Sequence, residues 1–238
     1  MDVHAQSGRD VAGSGQEGTV PAVASSAPAG TARRAATRER LLDAAFAVFA
    51  EQGVHASTVE QIAERAGFTR GAFYSNFTTK EELFVALIDR EDAARLTALE
   101  EKFAALGPQL EAVGSTLEPD AIADLVLDFL TGPFDDHAWA LISAEFQLLA
   151  LRDPGFATLY LARRQQYDAA LAPTMIRMLA QAGQAFDADP AVALRLLAAV
   201  YDDAVRQTIL QGSTAYDPTV VKDTIVRVVL ALTRRAAG

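Results

Sequence analysis

The sequence predicts an all-α protein, and three observations carry that expectation. Apolar residues recur at helical spacing along most of the 238-residue chain. The alternation expected of a strand does not occur. One stretch, Thr58 to Phe77, reads as two short helices joined by a tight turn. The expected architecture is a disordered tail over residues 1–32, a three-helix head over residues 33–80 and a larger C-terminal helical body over residues 81–238, about nine helices in total.

Residues 1–32 are rich in Gly, Ala, Ser, Thr and Val and show no hydrophobic period, so they read as disordered. They form either a plain tail or an arm, ending in Arg33-Arg34, that runs along a DNA minor groove. The first helix is expected from about Thr37, its N-cap, to Gln52, with Gly53 as its C-cap. Leu41, Leu42, Ala45, Phe46 and Phe49 form its apolar stripe. Arg38 and Arg40 fall in its first turn, against the helix dipole, and are either solvated or placed for a phosphate. The second helix starts at Ser57 or Thr58, which fit capping boxes with Glu60 and Gln61 respectively. Gly67 stops it, because glycine takes the left-handed conformation at little cost. Ala63, four residues earlier, is small enough for two helices to cross at close range. Val59, Ile62 and Ala66 face one way, and Phe68, Phe73 and Phe77 close over them. The third helix is expected over about Thr69 to Asn76 with Phe73 inward. This is the helix-turn-helix pattern, whose second helix is shaped to enter a major groove.

On that helix Gly71 and Ser75 face away from Phe73. Arg70 is suited to a bidentate contact with guanine, and Ala72 to a thymine methyl. Tyr74, Asn76 and Lys80 suit phosphate oxygens, which set position rather than sequence. The hydroxyl of Thr58 and the free N–H groups behind it offer a further phosphate site.

The run Gly67-Phe68-Thr69-Arg70-Gly71-Ala72-Phe73-Tyr74-Ser75-Asn76-Phe77, followed by Thr79-Lys80-Glu81-Glu82-Leu83, resembles the signature of the TetR family of transcriptional repressors. That signature is a Gly-hydrophobic-Ser/Thr turn, a Tyr-x-x-Phe-like end to a short recognition helix and a Lys-Glu-Glu/Asp-Leu start to the next helix. The match covers about residues 37–85. Beyond it the likeness is one of length and helical character. The resemblance implies DNA contacts from Arg38, Thr58, Thr69, Arg70, Gly71, Ala72, Tyr74, Ser75, Asn76 and Lys80. It also implies a ligand-responsive homodimer that binds a palindromic operator in double-stranded DNA and is released by a small-molecule effector. Glu60 departs from the pattern, since some members carry a basic residue there; it either caps its helix or accepts from a cytosine amine.

The fourth helix begins at Thr78 or Thr79 and runs towards Leu106. Leu83, Phe84, Leu87 and Ile88 face the head, and Leu96, Leu99, Phe103 and Leu106 continue into the body. Gly107-Pro108 and Gly114-Ser115 are read as loop. Ile122, Leu125, Val126, Phe129 and Leu130 define a fifth helix. Trp139, Ile142, Phe146, Leu149 and Ala150 define a sixth, stopped at Asp153-Pro154. The seventh covers about Phe156 to Ala182, with Pro173 as a kink site. An eighth spans Pro190 to Gln211 with Gly212 as its stop, and a ninth about Pro218 to Arg235. Leu197, Tyr201 and Val205 on the eighth, with Ile225, Val229 and Leu232 on the ninth, are the candidate dimer contact, a four-helix bundle across the axis. Candidate effector contacts are Phe103, Phe129, Trp139, Phe146, Tyr160 and Tyr167, with Gln147 and Arg163 or Gln166 as polar anchors. Asp124 and Asp128 either answer a cationic ligand or form a solvated face.

The formal charge of −10 is unusual for a DNA binder, but its distribution is uneven. Residues 81–238 account for the deficit, whereas Arg33, Arg34, Arg38, Arg40, Arg65, Arg70 and Lys80 outnumber the acids between residues 31 and 80. An acidic body repels DNA and confines contact to one end. The absence of cysteine removes disulfides and thiolate sites and fits a reducing, cytoplasmic compartment. No apolar run reaches the roughly 18 residues of a membrane helix, and no signal peptide is visible. Catalysis is not expected. Neither His4, His55 nor His137 stands in a Glu-x-x-His motif, and no phosphate loop or nucleophile elbow occurs. No cofactor or metal is expected. A helix-turn-helix module that binds protein rather than DNA is the remaining alternative, and a steep salt dependence of DNA affinity separates the two.

Overall fold

The computed structural model describes residues 29–113, 121, 137–212, 224 and 227–236. Its helices are α1 (Ala29–Gln52), α2 (Val59–Arg65), α3 (Arg70–Tyr74), α4 (Lys80–Val113), α5 (His137–Arg152), α6 (Pro154–Gln181) and α7 (Pro190–Leu210). A last helical segment occupies residues 227–232. Two three-residue strands, β1 (Gln184–Phe186) and β2 (Thr233–Arg235), pair antiparallel, with Ala185 opposite Arg234.

The caps of the head are those the sequence indicates. Thr58 closes a capping box with Gln61 at the start of α2, and Gly53 and Gly67 adopt positive φ at the ends of α1 and α2. Phe68 N–H then bonds the Ala63 carbonyl at 2.8 Å, which folds the chain back towards α3. Glu82 N–H donates to Thr79 Oγ1 at 3.0 Å at the start of α4. Asp153 and Asp189 cap α6 and α7, each followed by proline at the first helical position.

Four elements differ from expectation. First, α1 begins at Ala29, about two turns before Thr37. Thr37 is not its cap, since its hydroxyl donates to the Arg33 carbonyl one turn back at 3.0 Å. Residues 30–36 are exposed, so no apolar stripe marks them; their alanines and arginines favour helix on propensity alone. Residues 29–32 are therefore helix, not tail. Second, α4 passes through Gly107-Pro108, because a helix already nucleated over many turns absorbs one lost hydrogen bond. Third, the last helix gives way at Thr233 to β2, where the ninth was expected to reach Arg235. Fourth, the β pair has no counterpart in the sequence pattern: three residues are too few for an alternation to show. The expected fifth helix, Gly114-Ser115, Asp124, Asp128, Phe129 and Ile225 lie outside the described residues.

The core of the head does not end at residue 80. Leu41, Phe49, Ile62, Phe73, Phe77, Leu83, Phe84 and Leu87 share one buried cluster with Ile142 and Phe146 of α5. Phe49 meets Phe84 edge-on at 5.5 Å, Phe84 meets Phe146 at 5.6 Å, and Phe146 meets Tyr160 of α6 at 5.2 Å. A second cluster joins Leu171, Met175 and Met178 of α6 to Leu194, Leu197, Tyr201 and Val205 of α7 and to Val229. Gly67 is a tight turn position, with φ +72° and the Arg40 guanidinium 3.0 Å from where a Cβ would sit. Gly67→Ala is expected to cost about 1–2 kcal/mol, from left-handed strain with displacement of Arg40; urea unfolding of the variant measures it.

Candidate DNA interface and effector cavity

α3 has only five residues, too few to stand as a helix alone. Its frame comes from neighbours. Thr69 Oγ1 accepts from the Ala72 N–H at 3.3 Å, and Phe73 is fully buried. At the other end Arg34 donates to the Ser75 carbonyl at 3.1 Å and Arg38 to the Asn76 carbonyl at 3.2 Å. Arg38 also lies over the Phe77 ring at 4.1 Å. Arg40 does the same for α2, donating to the Ala66 carbonyl at 2.7 Å. Cations on carbonyls at a helix C-terminus satisfy both hydrogen bonding and the dipole.

What α3 leaves outward is Thr69, Arg70, Gly71, Tyr74 and Ser75, all exposed, with Ala72 half-buried. Arg70 pairs with Glu60 of α2 at 2.7 Å, both side chains exposed, and its guanidinium lies 5.4 Å from the Tyr74 ring centroid. Glu60 is thus a partner of Arg70 rather than a cap; Ser57, its expected capping partner, donates instead to the Gly53 carbonyl at 2.5 Å. A Cβ on Gly71 would meet only Thr69 Oγ1, at an ordinary 3.7 Å. Nothing described within the chain demands glycine there.

Three of the expected DNA contacts, Lys80, Arg38 and Asn76, spend their side chains on carbonyls of the chain itself. Lys80 Nζ donates to the carbonyls of Val54 at 2.6 Å, Ser57 at 2.7 Å and His55 at 3.4 Å, so all three ammonium donors are spent on the loop between α1 and α2. Arg38 is committed to Asn76 and Phe77. Asn76 Nδ2 donates back to Ala72 at 2.8 Å. Residue type alone did not distinguish these inward uses from phosphate contacts.

A cavity of about 210 Å³ lies in the body among α4, α5, α6 and α7. It brings together six of the expected effector contacts: Trp139, Phe146, Gln147, Tyr160, Arg163 and Tyr167. Phe103 lies apart from its lining and packs in the second cluster, beneath Arg177 at 5.5 Å. Gln166 is exposed and does not line the cavity. The sequence reading missed the charged part of the wall: Asp92, Arg95 and Lys102 on α4, Arg164 and Asp168 on α6, and Asp202 on α7. The signal was present, because Asp92, Arg95, Leu99 and Lys102 share one helical face otherwise expected to be apolar. A second cavity of about 200 Å³ adjoins and shares Arg95, Trp139 and Tyr201.

Of the expected dimer residues, those that are described lie in the core. Leu197, Tyr201, Val205 and Val229 are buried within one chain, Leu232 packs against them, and Leu197 and Tyr201 line the cavity. Both faces of α7 carry apolar residues, and the periodicity did not say which faces inward. Among the described residues no helix is long and apolar enough to cross a membrane, and no group of His, Asp and Glu could hold a metal ion.

The sequence match follows the same geometry. The profile of bacterial regulatory proteins of the tetR family matches residues 41–87, from mid-α1 into α4. The HTH-type transcriptional regulator TcmR of Streptomyces glaucescens is 33% identical over 165 residues, covering 69% of this chain and 68% of that protein. This chain belongs to the tetR family. The HTH-type transcriptional repressor AcnR of Corynebacterium diphtheriae is 28% identical over 134 residues, 56% of this chain and 60% of that one; the chain thus spans less than two thirds of that relative's length. A crystal structure of a TetR transcription regulator from Haloarcula marismortui superposes with a TM-score of 0.61 at 18% identity, covering 84% of this chain and all of that one. The family's fold therefore extends through the body as well as the head.

Two expectations follow. Lys80→Met strands three carbonyls and is expected to lower stability by about 1–3 kcal/mol while leaving the salt slope of DNA binding unchanged; a slope reduced by about one would return Lys80 to a phosphate. Asp92 is half-buried, and burial pushes its carboxyl from 3.8 up to about 6, against the opposing pull of Arg95, Arg163 and Arg164. Because the folded value lies above the unfolded one, its contribution to stability is full below pH 4 and is lost as pH rises through about 6. Asp92→Asn is therefore expected to be nearly neutral at pH 4 and stabilising by about 1–2 kcal/mol above pH 7, read by urea unfolding at both pH values.

Proposed function

We propose that this chain is a transcriptional repressor that binds a palindromic operator as a homodimer and is released by a small molecule held in the body. The observation that carries the DNA reading is the outward face of α3. Arg70, Gly71, Tyr74 and Ser75 are presented to solvent by a helix whose other face is fully buried. Gly71 has room for a side chain within the chain, so its bareness suits a surface that approaches from outside. Arg70, held by Glu60 and Tyr74, is the base-reading candidate. Thr58 and Thr69 stand exposed at the starts of α2 and α3, and their hydroxyls, which serve as caps within the chain, are the phosphate candidates there.

Two-fold operators require two heads about 34 Å apart. The buried faces of α7 and the last helix are unavailable for the dimer, which leaves their outer faces, where Val192, Leu196 and Leu230 are exposed. The cavity is the effector site of this reading. Its Tyr160 and Phe146 touch the ring chain that enters the head, so an occupant that shifts α6 relative to α5 moves the packing beneath α1 and α4. Release then requires tighter binding of the effector to the conformation whose heads do not fit adjacent grooves. The effector, the operator and a cytoplasmic site of action all stand on this reading.

Selection of genomic fragments by the full chain is expected to recover sites with two-fold symmetry. On such a site Arg70→Ala should cost about 1–3 kcal/mol and relax preference at one base pair per half-site. Equal loss on every sequence would contradict base reading by Arg70, and recovery of no preferred fragment would contradict the proposed function.

A further inference from the structure

The effector cavity carries more information than its size. Arg163 is set deep in its wall, its side chain only 11% exposed against 30% for Arg164. Its Nη1 pairs with Asp89, which is 60% exposed and does not line the cavity. Its Nε is buried, and nothing among the described residues accepts from it. A guanidinium N–H without an acceptor is costly in a protein interior, so this donor calls for an acceptor supplied from the cavity.

The charge balance of the wall points the same way. Asp168 accepts from Arg164 at 3.2 Å, and Asp202 lies 4.0 Å from the same guanidinium. Two of the three carboxylates in the wall are therefore engaged, and the third, Asp92, sits among Arg95, Arg163 and Arg164. An organic cation would find no carboxylate that an arginine does not already face. An acid would find Arg163, with Arg95 stacked on Trp139 at 4.3 Å nearby. Away from these charges the wall is Trp139, Phe146, Tyr160, Leu171 and Met175. The volume of about 210 Å³ exceeds the roughly 150 Å³ that holds a benzene ring in an engineered apolar cavity, which leaves room for a ring and a short acidic tail.

We propose that the effector is a compact organic acid, a ring or short apolar body carrying one carboxylate that Arg163 takes through its Nε edge. This rests on the reading of the cavity as the effector site. The bidentate fit of guanidinium and carboxylate supplies both charge and direction, and the aromatic wall supplies most of the buried area.

Trp139 is the chain's single tryptophan and lies in the wall, so its fluorescence reports occupancy. Three probes of one shape separate the outcomes: 3-phenylpropanoate, 3-phenylpropanamide and 3-phenylpropylammonium, each titrated into the intact protein at pH 7.5. The carboxylate is expected to bind at least tenfold more tightly than the amide and to outbind the ammonium by more. In Arg163→Gln the carboxylate should fall about tenfold, to the level of the amide, with the amide itself unchanged. An amide or ammonium that binds as well as the carboxylate overturns the acid assignment and leaves the cavity reading standing. Equal loss of all three probes in Arg163→Gln overturns it as well, by making Arg163 a structural residue. Absence of response to every probe overturns the cavity reading and the assignment together.

Discussion

The chain of edge-on rings from Phe49 through Phe84 and Phe146 to Tyr160 is the contact on which the rest of the molecule depends. Each step spans 5.2 to 5.6 Å, and each such pair contributes about 0.5–1.5 kcal/mol beyond the area it buries. Its importance is one of position. Phe49 belongs to α1, Phe84 to the first turns of α4, Phe146 to α5 and Tyr160 to α6. The helix-turn-helix head and the cavity thus border adjoining parts of one packed interior. Close-packed interiors transmit displacement because they have little free volume to absorb it. A head joined to its body by a linker would have no such route.

The same continuity runs across residue 80, where the sequence places the end of the head. Of the residues expected in the head core, Leu41, Leu42, Ala45, Phe49, Ile62, Ala66, Phe73 and Phe77 are buried while Phe46, Val59 and Phe68 are partly so, and the turn signals at Gly53 and Gly67 carry the positive φ expected of them. What no local pattern reveals is that Ile142 and Phe146, some sixty residues further along the chain, complete that core. Long-range packing is a property of the folded surface and leaves no periodic trace. The β pair is a similar case, held by partners about fifty residues apart in sequence.

Legibility failed in a second, more instructive way at the charged residues. Residue type says what a side chain is able to bind; it does not say whether the chain itself has claimed it. Lys80, Arg38 and Asn76 suit phosphate, and all three are occupied by carbonyls or by one another. Leu197, Tyr201 and Val205 suit a dimer seam, and all three face inward. The cavity aromatics were legible because large rings at helical spacing must bury somewhere. The carboxylates and arginines beside them were not, because charges on a helix usually face solvent.

The placement of the α1 arginines resolves an apparent conflict. Arg38 and Arg40 stand near the start of a helix, where a positive charge is unfavourable to that helix. The penalty shrinks because α1 begins at Ala29, which puts them in its third and fourth turns. The gain appears on other elements, because Arg34 and Arg38 bond the carbonyls that end α3 and Arg40 bonds the one that ends α2. A five-residue helix has no interior hydrogen-bond ladder to speak of, so its stability resides in its ends. With Thr69 at one end, two arginines at the other and Phe73 beneath, α3 is fixed in direction before anything approaches it. A rigid recognition element loses less entropy on binding than one that must be ordered. The basic residues of the head thus divide between scaffold and surface: Arg34, Arg38 and Arg40 of α1 hold α2 and α3 in place, and Arg70 stays on the outer face, paired with Glu60.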